Sequence, residues 1–63
     1  MKFKIGELVK WYELYGDVYI VKDQGLGMIV SQTQFYDSKI FKVHRIKHND
    51  CVFFEAANLQ KNQ

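Results

Sequence analysis

The chain has 63 residues, a formal net charge of +2 and a single cysteine, Cys51. This length allows one domain over residues 1–63, and one cysteine excludes an internal disulfide. A domain of this size buries only about 60% of its unfolded surface, so a deep catalytic cavity beside the core is not expected. No apolar run is long enough to span a membrane, and no apolar segment typical of a signal peptide follows Met1.

The first half of the chain reads as short strands joined by turns. In chain order, we predict a strand over 7–11, an aromatic loop over 12–16 and an extended run over 17–21. That run is either a second strand or the returning arm of a long hairpin, and it is followed by a turn over 22–25 and a central strand over 27–32. Gly25 and Gly27 mark a tight turn or bulge where the central strand begins, because glycine tolerates positive φ and close backbone approach. Every other apolar segment is short enough to serve as a partner of that strand.

The second half begins with a predicted loop over 33–39 and continues with a strand over 40–46. That strand alternates clearly, with Phe41 and Val43 on one face and Lys42 and His44 on the other. A tight turn over 48–50 leads into a last strand over 51–55, in which Cys51 is expected to be a small core residue.

The C-terminal residues complete this architecture. Residues 56–59 predict one helical turn that carries Leu59 into the core, and residues 60–63 predict a frayed tail. Five short strands should close on themselves, because a flat sheet would leave two bare edges and one wet apolar face. The predicted fold is an all-β, five-stranded small barrel with a short terminal helical turn and an ordered core over about residues 5–59.

The order of these motifs resembles a known family. The motifs are Ile5-Gly6-Glu7-Leu8-Val9, Gly25-Leu26-Gly27-Met28-Ile29-Val30, the strand over 40–46 and Asn58-Leu59. Together they resemble the SH3-like small barrels, in particular the short single-domain proteins of tailed bacteriophages, and more weakly the KOW-type barrels. The resemblance implies a non-enzymatic interaction module that is a virion component or binds a host protein. It implies a location in the virion or the host cytoplasm, and the missing signal-peptide pattern and long apolar run predict a chain that is neither secreted nor membrane-spanning.

Aromatic residues form the first candidate site. The predicted protein-binding residues are Trp11, Tyr12, Tyr15, Phe35 and Tyr36, and Tyr19 lies near the first three in the sequence. Aromatic rings with a polar tip give large contact area for little entropy cost, which suits a protein interface. In a small barrel the two aromatic loops can lie near one another. The alternative is that these rings cap the ends of the barrel.

A basic stretch forms the second candidate site. Lys39, Lys42, Arg45 and Lys47 are the predicted nucleic-acid-binding residues of the alternative function. Such a row can follow phosphates while Tyr36 stacks on a base. The other interpretation is a solvated strand face whose lysines protect an exposed edge.

Metal binding and catalysis have little support in the sequence. His44, His48 and Cys51 have a spacing similar to that of metal ligands, but no fourth ligand is evident, so neither a metal nor another cofactor is expected. Cys51 lacks an orienting third group for nucleophilic catalysis, so an enzyme is not expected. An open strand edge makes a homo-oligomer a further hypothesis.

Overall fold

The structure is a computed structural model that describes residues 3–16 and 20–62. Its five strands form one antiparallel sheet in the order β4-β3-β2-β1-β5. The elements are β1 (Leu8–Leu14), β2 (Val21–Phe35), β3 (Ser38–Arg45), β4 (Asp50–Glu55), a 3-10 turn (Ala56–Asn58) and β5 (Leu59–Lys61). The described part of the chain is therefore all-β, as predicted, and the 3-10 turn is its only helical element.

The sheet is open at its two outer strands. β4 pairs with β3 and β5 pairs with β1, and no ladder within the described residues joins β4 to β5. The short 3-10 turn links these two edge strands through the chain. A five-stranded sheet is confirmed, but it does not close into a continuous hydrogen-bonded barrel.

The long strand β2 is bent. A straight strand of 15 residues would measure about 50 Å at the usual rise per residue, whereas the longest dimension of the fold is 27 Å. The pairing of β2 with β3 shifts between Ile29 and Ser31, so that Val30 is the extra residue of a bulge. Bulges bend and twist a strand, and here the bend lets β2 curve around the core.

All five strands contribute to one hydrophobic core. Its buried members are Phe3, Val9, Trp11, Ile29, Phe41, Val43, Phe54 and Leu59. Trp11 is fully buried, and its ring lies 5.8 Å from that of Phe54 in a stacked arrangement. Leu59 at the start of β5 fills the position predicted for it. The buried faces of both edge strands therefore meet around the same tryptophan.

The glycines of β2 make room for this core. A Cβ added at Gly27 would lie 2.5 Å from Val43 Cγ1 and 2.7 Å from the His44 carbonyl oxygen. A Cβ added at Gly25 would lie 3.0 Å from the Trp11 ring. The prediction of a turn at these glycines is wrong, because both lie within the continuous strand β2. Their role is close packing between strands.

Parts of the predicted loop over 12–16 and of the predicted turn over 22–25 are strand residues in the structure. The predicted turn over 22–25 belongs to β2, and Tyr12 belongs to β1, where it is opposite Gln24. Of the predicted strand over 17–21, residues 17–19 lie outside the described residues, Ile20 is not in a strand and Val21 begins β2. Lys22, Asp23 and Gln24 are polar residues typical of a turn, but in the structure they belong to β2 and extend its pairing with β1 into a region that borders solvent.

Two further differences concern the later part of the chain. The predicted loop over 33–39 narrows to a turn at Tyr36 and Asp37, because β2 and β3 continue their pairing to Phe35 and Ser38. The prediction of a frayed tail is wrong at Lys61, which pairs with Val9 in β5. The strands β3 and β4 and the turn between them lie close to their predicted positions.

Candidate interaction surface

The turn between β2 and β3 presents two aromatic rings to solvent. Phe35 is 61% exposed and Tyr36 is 86% exposed. Their ring centroids are 4.7 Å apart in an edge-to-face arrangement, a favourable geometry for aromatic pairs. The two rings therefore brace each other outside the core, and we call them the aromatic tip.

The backbone at this tip has an unusual conformation. Tyr36 has a φ of 55°, in the left-handed region that large side chains adopt only at an energetic cost. Gln34 Nε2 donates a hydrogen bond to the Tyr36 carbonyl oxygen at 3.0 Å, which holds the turn. A strained backbone that carries a highly exposed ring is a feature found at functional sites.

Among the described residues, no close contact between aromatic rings joins the two predicted aromatic loops. Tyr12 is opposite Gln24 near the start of β2, whereas Phe35 is the last residue of that strand, so they lie toward opposite ends of β2. Tyr12 is half-buried, and its hydroxyl donates to Gln60 Oε1 at 2.6 Å. Tyr15 is exposed at the start of the β1–β2 loop, and Tyr19 lies outside the described residues.

Trp11 is not available to a partner. Its side chain is fully buried, and its Nε1 donates a hydrogen bond to the Leu26 carbonyl oxygen at 3.1 Å. The Arg45 guanidinium lies 5.0 Å from the ring centroid, and the His48 ring lies 5.8 Å away. Trp11 is therefore a structural residue, and the predicted contact patch loses it because its position alternates toward the core.

Part of the basic stretch is engaged by carboxylates. Lys47 Nζ lies 2.6 Å from Asp23 Oδ1, and His48 Nε2 lies 2.6 Å from Asp23 Oδ2. The hydrogen bonds from Lys47 and then His48 lower the pKa of Asp23 well below its ordinary value. These contacts fasten the turn between β3 and β4 to the side of β2.

Arg45 is held more tightly than Lys47. Its Nε and Nη2 donate to the two carboxylate oxygens of Asp50 at 2.7 and 2.6 Å, a paired geometry that favours the charged state of both groups. This contact raises the pKa of Arg45 and lowers that of Asp50. Glu13 lies 3.7 Å from the same guanidinium, and the Arg45 side chain is only 11% exposed. A phosphate would have to displace these carboxylates to reach it.

The remaining lysines of the basic stretch are more accessible. Lys39 is exposed beside the aromatic tip, and Lys42 is half-buried, with its Nζ 6.0 Å from the centroid of the Phe53 ring. Neither has an ion-pair partner among the residues that the structure describes. The four predicted nucleic-acid residues therefore do not present one row of free charge. The opposite charges of Arg45 and Asp50, five residues apart across a turn, are a sequence signal of this pairing.

The candidate metal ligands do not converge. Cys51 is exposed, so its predicted place in the core is wrong, and it is opposite His44 on the outer face of the sheet. His44 Nε2 lies 3.1 Å from Asn49 Oδ1, whereas His48 contacts Asp23. Within residues 3–16 and 20–62, no group of three His, Cys, Asp or Glu side chains is arranged to hold a metal ion.

Comparison with known proteins adds no family assignment. No family model matches the chain, and no curated protein or solved structure matches it significantly. Across the described residues, the structure contains no helix with the length and apolar character needed to cross a membrane.

Proposed function

We propose that the chain is a non-enzymatic protein-interaction module that docks the aromatic tip, Phe35 and Tyr36, into a larger protein. The observation that carries this proposal is the 86% exposure of Tyr36 on a backbone with a φ of 55°. Leaving a large ring in water has no benefit for folding, and the left-handed backbone adds a cost. A partner that buries both rings would compensate for that cost, since buried aromatic residues dominate many interfaces.

We also propose the finer architecture and setting that the sequence resemblance implies. All five strands contribute to a single core, and the bulge in β2 bends the sheet around it, which supports a partly open SH3-like barrel. The resemblance to small proteins of tailed bacteriophages motivates a role as a virion component or as a factor that binds a host protein. These two settings would share the docking mechanism of the aromatic tip.

Nucleic-acid binding is the competing proposal. Lys39 and Lys42 support it, because both are accessible, and Lys39 is close in sequence to the exposed Tyr36 ring. The carboxylates on Arg45 and Lys47 weaken it, because they neutralise half of the predicted phosphate-binding row. Phosphate neutralisation would make affinity fall steeply with added salt, whereas aromatic docking would respond little.

Photo-crosslinking from the tip tests the protein-interaction proposal. We would place p-benzoylphenylalanine at position 36 and, as a matched control, at the exposed position 62, and irradiate each protein in extract of cells that make the chain. We expect a protein adduct from position 36 and none from position 62. Unlabelled wild-type protein should suppress the adduct, and unlabelled Tyr36→Ala protein should not. Equal capture from both positions, or a nuclease-sensitive adduct, would contradict it.

A further inference from the structure

The outer face of the sheet carries an apolar patch that the core does not use. Leu8, Leu26 and Met28 are 37%, 38% and 44% exposed, and Ile46 is also exposed. Leu8 is directly opposite Met28, and the Ile46 amide donates to the Leu26 carbonyl oxygen at 3.0 Å. These four residues therefore form a continuous aliphatic surface across β1, β2 and the end of β3. We call it the outer patch.

The charges near the outer patch have one sign. Lys10 is opposite Leu26, and Lys42 and His44 lie on the same face of β3. Neither lysine has an ion-pair partner among the described residues. A formal net charge of only +2 over the whole chain therefore conceals a local excess of cations on this face.

Three of the four strand carboxylates that the structure describes lie on the opposite side of the sheet. Glu13 alternates with the core residue Trp11 and is opposite Asp23, and both of these carboxylates contact cations beside the core. Glu7 and Asp50 contact Lys61 and Arg45 on that same side. Of the strand carboxylates that the structure describes, Glu55 alone shares the outer face, near the end of the edge strand β4. The carboxylates beside the core are therefore paired with cations, whereas Lys10 and Lys42 on the outer face have no ion-pair partner among the described residues.

A depression adjoins the outer patch. It has a volume of about 240 Å³ and is lined by Lys10, Gln24, Gly25 and Leu26. Its position lets one apolar side chain of a partner insert beside a lysine ammonium group.

From this arrangement we propose that the outer face of β1, β2 and β3 binds an amphipathic helix of a partner protein that carries acidic residues beside its apolar stripe. The backbone of β2 is already paired on both sides, so this face offers side chains and cannot accept an added strand. A helix packed on a sheet face buries an apolar stripe in this way. Glutamate or aspartate along the stripe would meet Lys10 and Lys42.

The composition of the face disfavours the other occupants. A membrane surface is usually recognised by clusters of four to eight basic residues, more than this face provides. Single-stranded nucleic acid needs aromatic rings for stacking, whereas the centre of this face is aliphatic. Two copies of the chain would bring Lys10 and Lys42 against cations of the same face. The outer patch is distinct from the aromatic tip, so this proposal stands or falls separately from the one above.

A peptide titration of the intact chain tests this proposal. The probe is a synthetic helix of about 18 residues, above the length at which isolated helices are marginal, with leucines at positions i, i+3, i+4 and i+7 and glutamates beside them. Amide shifts in ¹⁵N-labelled protein would be followed up to millimolar peptide. We expect saturable shifts at Leu8, Leu26, Met28 and Ile46. The same peptide with lysine in place of glutamate should bind at least about tenfold more weakly.

Matched variants locate the site. Lys10→Glu should weaken binding of the acidic helix about tenfold, since it replaces an attraction by a repulsion, whereas Lys39→Glu makes the same charge change at the aromatic tip and should have little effect. Leu26→Asp should abolish binding while the circular dichroism spectrum stays unchanged. The proposal is overturned by any of three results: no shifts at millimolar peptide, stronger binding to phosphatidylserine vesicles or an oligonucleotide, or a dimer that Leu26→Asp dissociates.

Discussion

Trp11 and Gly25 lie directly opposite each other in the β1–β2 ladder, and a Cβ at Gly25 would lie 3.0 Å from the indole ring. The glycine gives the ring its space, and the ring supplies the packing that glycine lacks. The indole Nε1 then donates to the carbonyl oxygen of Leu26, the next residue of β2. One aromatic residue and one glycine therefore fix the register at the centre of the sheet.

Replacing Trp11 by phenylalanine tests the importance of this contact. The change removes the hydrogen bond to the Leu26 carbonyl oxygen and leaves a cavity beside Phe54. We expect a loss of about 2–4 kcal/mol in the free energy of unfolding, measured by urea denaturation with circular dichroism. Tyr15→Phe alters an exposed ring and serves as the control. An equal stability of the two variants would contradict the role assigned to the indole.

Gly27→Ala should be more harmful than Gly25→Ala. An added Cβ at Gly27 meets Val43 Cγ1 at 2.5 Å and the His44 carbonyl oxygen at 2.7 Å, and the backbone atom has little freedom to move. We expect a loss of about 2 kcal/mol or more for Gly27→Ala, measured as a lower urea midpoint. Trimming Val43 to alanine in the same protein should not restore stability, since the contact with the carbonyl oxygen remains.

The contribution of Asp23 to the free energy of unfolding should be lost in acid. Hydrogen bonds from Lys47 and His48 lower the pKa of its carboxyl group in the folded chain below the unfolded value near 3.8. Its contribution is therefore fully present above about pH 5 and is lost as the pH falls through 4 toward the folded-state pKa. Asp23→Asn should have a lower urea midpoint than wild type at pH 7. The difference between the two midpoints should be smaller at pH 3. Asp37→Asn makes the same substitution in the exposed β2–β3 turn, away from Lys47 and His48, and serves as the matched control.

Tyr36→Gly should separate stability from binding. Glycine adopts a φ of 55° without strain, so the free energy of unfolding of the variant should be about 1 kcal/mol higher than that of wild type. It also removes the exposed ring, so the unlabelled variant should not suppress the protein adduct that forms from position 36. Asn49→Gly should gain no stability, because asparagine tolerates its φ of 52° better than tyrosine does and the change also removes the contact with His44. A Tyr36→Gly protein that still competes for the partner would refute docking by this ring.

Local sequence patterns were sufficient to predict the all-β class and the strands β3 and β4. Alternation over residues 40–46 places Phe41 and Val43 in the core, and the structure buries both. The turn before β4 was predictable because asparagine and aspartate tolerate its backbone, and Asn49 has a positive φ. These features depend on residues within a few positions of each other, so local patterns report them directly.

The exposure of individual residues, and the extension of β2 and β5 beyond their predicted ends, depend on tertiary structure. Trp11 and Tyr36 are both aromatic residues in predicted loops or strand ends, yet one is fully buried and the other projects into solvent. Gly25 and Gly27 resemble a turn until the Trp11 ring and Val43 are placed against them. Lys61 joins the sheet only because β1 offers it an edge. Each outcome depends on a neighbour distant in sequence, and a local pattern carries no information about that neighbour.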